Sequence, residues 1–186
     1  VYVDRKQVAK ILGLAEEKVR ITLVPTGGGF GGKEDLTVQG HAALFAYHMH
    51  KPVKLVLSRY DSFRMHPKRH PVTMDIAIGC DKNGMFTAAK LMAVGDGGAY
   101  ASVGNAVMER VAGHTTGGYH FPCCNLEALE VYTNNIPCGA MRGFGANQAA
   151  FALESCIDEL CKMGGFDPWQ IRYDNALTEG RKTATG

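Results

Sequence analysis

Apolar positions along the chain follow two periods, and the changes between them mark out its elements. From Asp4 the spacing of Val8, Ile11 and Leu12 draws one helical stripe, with Asp4 and Gln7 as a capping box and Gly13 suited to the helix end. Val19 to Val24 alternates apolar and polar residues with β-branched members, which predicts a strand. Between Thr37 and His50 the period becomes helical again, placing Val38, Ala42, Phe45 and Met49 on one face, and Pro52 ends the helix. Val53 to Leu57 predicts a second strand, so the opening reads as a βαβ-like unit.

Arg59 to Pro71 is polar and basic, carrying Arg64, His66, Lys68, Arg69 and His70, and reads as a solvated loop with a sub-boundary near residues 60–71. Strict alternation returns at Val72, Met74, Ile76 and Ile78. Asp81 to Gly84 then supplies turn chemistry before a strand from Met85 to Val94, a β-hairpin. Gly95 to Tyr100 breaks the pattern, and Ala106 to Ala112 is weakly helical. Leu126 to Thr133 predicts a strand and Asn147 to Met163 a long helix. Asp167 with Pro168 starts a last helix, with Trp169 and Ile171 as apolar anchors, and a polar tail begins at Thr178. The expected class is mixed α+β (α/β).

Charge and composition narrow the partners. A net charge of +2 with interspersed signs leaves no nucleic-acid footprint, and no apolar run reaches the length of a membrane span. Small molecules and proteins are the expected partners. The chain opens at Val1 as though in the middle of a fold, so residues 1–186 are expected to be a fragment of one larger domain. Its six cysteines, Cys80, Cys123, Cys124, Cys138, Cys156 and Cys161, lack zinc-site spacing and read as reduced structural thiols of a cytoplasmic protein. No carboxylate or thiol completes a metal site around any of the histidines.

The densest chemical signal is Gly27-Gly28-Gly29-Phe30-Gly31-Gly32-Lys33-Glu34. Five glycines in six residues cost chain entropy and persist where backbone must turn sharply or approach a ligand. Gly27, Gly32 and Lys33 fit a P-loop spacing, but Glu34 stands where a hydroxyl should meet magnesium. The dinucleotide spacing Gly27, Gly29, Gly32 lacks its later acidic residue. Two further segments read as ligand loops: the one carrying Arg110, and Ala140-Met141-Arg142-Gly143-Phe144-Gly145, which feeds a helix N-terminus.

In order and spacing these segments resemble the molybdenum-binding subunit of the xanthine dehydrogenase and aldehyde oxidase family. The glycine loop resembles its GGGFGGKE loop, and Met108-Glu109-Arg110 its MER segment. Ala140 to Gly145 resembles its AFRGFG loop, with Met141 in place of phenylalanine and Gln148 as the glutamine that follows. The resemblance implies molybdenum–molybdopterin as cofactor, with iron–sulfur clusters and FAD on other domains or subunits and an oligomeric parent. It places Phe30, Gly31, Ala140 and Arg142 at the cofactor, Phe30 and Arg142 near the metal without ligating it. Glu34, Arg110 and Phe144 become substrate-binding residues, the first two also catalytic.

The implied reaction is hydroxylation of a purine, xanthine or hypoxanthine, with oxygen from water and hydride passing to the molybdenum centre. The charged pair Glu34 and Arg110 favours a purine over an aldehyde, and another N-heterocycle or an aldehyde is the alternative substrate class. A guanidinium at a ring oxygen would stabilise charge that grows in the transition state. A carboxylate can accept from a ring N–H or, protonated, donate to a ring nitrogen. The family's general-base glutamate is expected outside these residues, which alone should be inactive. Readings from other classes are a nucleotide-binding module using Gly27 to Lys33, and a scaffold without cofactor.

Overall fold

The computed structural model describes residues 1–186. Helices α1 (Tyr2–Leu12), α2 (Gln39–Met49) and α3 (Arg59–Met65) precede a hairpin of β1 (Val72–Cys80) and β2 (Phe86–Gly98). Helix α4 (Gly104–Gly113), strand β3 (Cys123–Tyr132), α5 (Ala146–Gly164) and α6 (Pro168–Asn175) complete the chain. The sheet has the order β1-β2-β3, with β2 antiparallel to β1 and parallel to β3. Parallel neighbours need a crossover, and α4 supplies it. The class is α+β, as expected, but the βαβ unit is β2-α4-β3 rather than the opening segment.

Helices cover one face of the sheet. Alternation along β2 turns Ala89, Leu91, Ala93 and Gly95 inward. One apolar cluster joins Phe86, Ala89 and Phe121 to Leu153, Ile157 and Cys161 of α5 and Ile171 of α6, with the rings of Phe86 and Phe121 stacked at 4.7 Å. A second joins Leu91 and Ala93 to Met108 and Val111 of α4. Buried Asn175 ties α6 to the hairpin: its Oδ1 accepts from the Phe86 amide at 2.7 Å, and its Nδ2 donates to the carbonyls of Gly84 (2.9 Å) and Ile171 (2.8 Å). No helix is long and apolar enough to cross a membrane.

Several expectations need correction. Val19–Val24 and Val53–Leu57 form no strands, because alternation alone is not a ladder and every sheet partner lies elsewhere; Leu23, Val24 and Val56 stay exposed. The glycine loop therefore does not sit at the end of a strand. Helix α2 exists, but Phe45 and Met49 face outward, and its buried residue is Gly40, where a Cβ would come 2.8 Å from Ile11 of α1. Helix α1 begins at Tyr2, without the Asp4 cap, and ends at Gly13 in the left-handed region as expected. The basic connection contains α3, started by a reciprocal Ser58–Asp61 cap.

The Gly95 to Gly98 run extends β2 instead of breaking it. A Cβ on Gly95 would fall 2.4 Å from Met108 Sδ, and one on Gly97 2.5 Å from Glu130 Oε1, so these glycines make room for neighbours. Asp167 caps α6 by accepting from the Gln170 amide at 2.7 Å, but of the two expected apolar anchors only Ile171 is buried; Trp169 lies outside, stacked on Tyr173. All six cysteines are free thiols, and no three His, Cys, Asp or Glu side chains gather at metal-binding distance.

Candidate functional site

Two glycine-rich loops and helix α4 meet at one cavity because glycines let their backbones touch; the Arg110 segment, expected as a ligand loop, is helical. Gly31 holds φ +91°, and a Cβ there would lie 2.5 Å from the carbonyl carbon and oxygen of Ala140. At this junction the Arg142 amide donates to the Phe30 carbonyl at 2.9 Å. Gly145 lies on α4, where a Cβ would come 2.4 Å from the Val107 carbonyl oxygen. Inward-facing Val107, Met108 and Val111 leave Arg110 on the outer side of α4, at the cavity. Phe30 and Phe144 take left-handed φ values of 52° and 49°, which non-glycine residues rarely adopt and which cluster at ligand sites.

The cavity measures about 420 Å³ and is lined by Gly31, Glu34, Arg110, Ala140, Met141, Arg142, Gly143 and Phe144. Six of the seven residues singled out from the sequence are therefore brought together. The seventh, Phe30, stands outside the lining: the residue is 65% exposed and its ring lies 5.6 Å under the Arg142 guanidinium. Arg110 lies over the Phe144 ring at 5.2 Å. Such contacts hold guanidinium planes without neutralising them. Neither arginine nor Glu34 enters any ion pair, so two cations and one carboxylate at the cavity keep their capacity for a ligand.

The peptide amides of Phe30, Gly31, Ala140, Met141 and Gly143 donate to no protein acceptor. Unpaired amides on glycine-rich loops beside two guanidiniums suit an anionic, oxygen-rich group. No cluster of three or more His, Cys, Asp or Glu side chains accompanies them. The arrangement fits a cofactor held through its organic part and through backbone contacts.

Residues assigned no site role from the sequence carry this geometry from behind. Arg69 donates from Nη2 to the Arg142 carbonyl at 2.7 Å and from Nη1 to Asn147 Oδ1 at 2.9 Å. Ser102 donates to Asp35 Oδ1 at 2.6 Å, and a Cβ on Gly139 would come 2.5 Å from Asp35 Oδ2. These partners are separated by more than sixty residues, so local pattern gave no signal for them. Beneath the loops His70 is buried, its Nε2 3.5 Å from Glu130 Oε1, and Gln148 donates to its carbonyl at 3.3 Å. Burial lowers the His70 pKa against the opposing pull of Glu130. Asp96, accepting from Thr133, Asn135 and the Gly98 amide, is held below the usual carboxylate range.

Comparison with known proteins shows the family and the fold. A family model described as the molybdopterin cofactor-binding domain matches residues 1–176. The nicotinate dehydrogenase large molybdopterin subunit of Eubacterium barkeri is 49% identical over 98% of this chain and 43% of its own. A probable xanthine dehydrogenase component of Bacillus subtilis is 44% identical over 94% of this chain and 23% of its own. The solved aldehyde oxidoreductase from Desulfovibrio gigas superposes with a TM-score of 0.93 at 30% identity, covering the whole of this chain and 20% of that one. The chain thus spans less than half the length of each.

Proposed function

The chain belongs to the molybdopterin cofactor-binding domain family, and from that premise we propose that it forms one wall of a molybdenum hydroxylase active site acting on a nitrogen heteroaromatic ring, a purine such as xanthine or hypoxanthine. The observation that carries the proposal is the pair Glu34 and Arg110, both free of ion pairs, lining one cavity with Phe144. Gly31, Ala140 and Arg142 would hold the molybdenum–pterin group, with Phe30 at the rim. When bound, that group supplies oxygen transfer from water and a two-electron sink. Iron–sulfur and FAD groups on partner domains or subunits would take the electrons onward.

The work of this chain is to bind and polarise the ring. Phe144 offers a face against which a planar substrate packs. Arg110, permanently charged, meets an exocyclic oxygen on which negative charge grows as the ring is attacked, so it favours the transition state over the ground state. Glu34 accepts a ring N–H and moves a proton between ring nitrogens as charge redistributes. Backbone amides of the two glycine loops hold the cofactor side fixed, which keeps the ring at reacting distance.

A second reading is a pyridine carboxylate, favoured by the 49% identity to a nicotinate dehydrogenase subunit. There Arg110 would pair with the carboxylate, and Glu34 would have no N–H to accept. Steady-state turnover of xanthine, hypoxanthine and nicotinate by the holoenzyme separates them. The purine reading predicts purine turnover whose kcat/KM falls on the order of 10²-fold in Glu34→Gln. Turnover of nicotinate alone, insensitive to that substitution, would overturn it.

A further inference from the structure

We propose that Arg69 is a positioning residue that sets the Arg142–Gly143 peptide and, through it, the junction of the two glycine loops; as a claim about catalysis this rests on the hydroxylase reading above. Arg69 is partly buried and enters no ion pair. Its guanidinium is spent on two neutral acceptors, the Arg142 carbonyl at 2.7 Å and Asn147 Oδ1 at 2.9 Å. Asn147 fills the space that Gly143 leaves open, since a Cβ on Gly143 would fall 2.5 Å from Asn147 Oδ1. One fork therefore fixes both the peptide that follows Arg142 and the first turn of α5.

Two consequences follow from peptide geometry. The Arg142 carbonyl belongs to the peptide whose N–H is that of Gly143, a cavity-lining residue whose amide has no protein acceptor. Hydrogen bonding a cation to that carbonyl polarises the peptide and strengthens the N–H as a donor. Arg142 also donates its own amide to the Phe30 carbonyl, so displacement of residue 142 moves the glycine loop as well. His70, the next residue, is buried beside Glu130, which anchors the Arg69 backbone from below. Lysine, a point charge on a flexible stem, cannot hold both acceptors in one plane.

The test uses the holoenzyme with Arg69→Met, Arg69→Lys and Asn147→Ala, read by hydrogen exchange and by turnover. In Arg69→Met the expected result is faster exchange confined to peptides covering residues 27–34 and 139–146. Molybdenum content should be retained, and kcat should fall on the order of 10²-fold with KM nearly constant. Free guanidinium ion should restore part of that loss, and Arg69→Lys should lie between wild type and Arg69→Met. Exchange unchanged in both loops, or raised uniformly across the chain, would overturn the proposal. Because exchange needs no turnover, failure of the hydroxylase reading would leave the clamp measurable, and the two failures are distinguishable.

Discussion

Gly31→Ala is expected to separate the two glycine loops and strip the protein of most of its cofactor. The added Cβ would sit 2.5 Å from the Ala140 carbonyl and 2.7 Å from the Met141 amide nitrogen, which are backbone atoms with no rotamer to escape into. The φ of +91° adds strain of about 1–2 kcal/mol for any L side chain before that clash is counted. The loops must part, and the Arg142 to Phe30 hydrogen bond goes with them. Molybdenum content should drop to a small fraction of wild type and turnover by more than about 10²-fold. The strain should lower the unfolding temperature by several degrees without abolishing folding, because Gly31 lies outside both apolar clusters. Gly29→Ala is the control: its φ is ordinary and its nearest neighbour, Lys33 Cβ, is 3.9 Å away. Equal cofactor content in the two variants would refute this account of the junction.

Arg110→Met should act on chemistry and leave assembly alone. Arg110 is exposed and in no ion pair, and its guanidinium lies over the Phe144 ring at 5.2 Å, so stability should change by less than about 1 kcal/mol. The loops that would hold the cofactor do not depend on its charge. Loss of a cation aimed at growing oxyanion charge costs on the order of 10²–10³-fold in kcat, which is the expected fall for xanthine at unchanged molybdenum content. Arg110→Lys should recover part of it by restoring charge without the planar fork. Unchanged purine turnover in Arg110→Met would move the substrate assignment away from purines.

The sequence carried most of the site and less of the scaffold. Gly31, Glu34, Arg110, Ala140, Arg142 and Phe144 were legible because the glycine clusters are local features of the chain and their segments resemble the family's motifs in order and spacing. They line one cavity. The hairpin β1-β2 and helix α5 were legible for a related reason, since alternation and a long apolar stripe are strong local signals.

What failed was whatever depends on distant partners. Val19–Val24 and Val53–Leu57 alternate well, but a strand exists only when another segment supplies its hydrogen bonds. Gly95 and Gly97 looked like breakers, and only the positions of Met108 and Glu130 explain why they continue a strand. Arg69 looked like one cation among several in a solvated loop. Its fork onto Arg142 and Asn147, seventy-three and seventy-eight residues away, is created by the fold.

The central claim is that the cavity between these loops holds a molybdenum–pterin group. Its most direct test is the molybdenum and pterin content of the purified protein containing this chain, produced in a host that makes the cofactor. The account predicts molybdenum and pterin each near one per chain, falling in Gly31→Ala and not in Gly29→Ala. A folded protein that carries neither, made under cofactor-replete conditions, would contradict it.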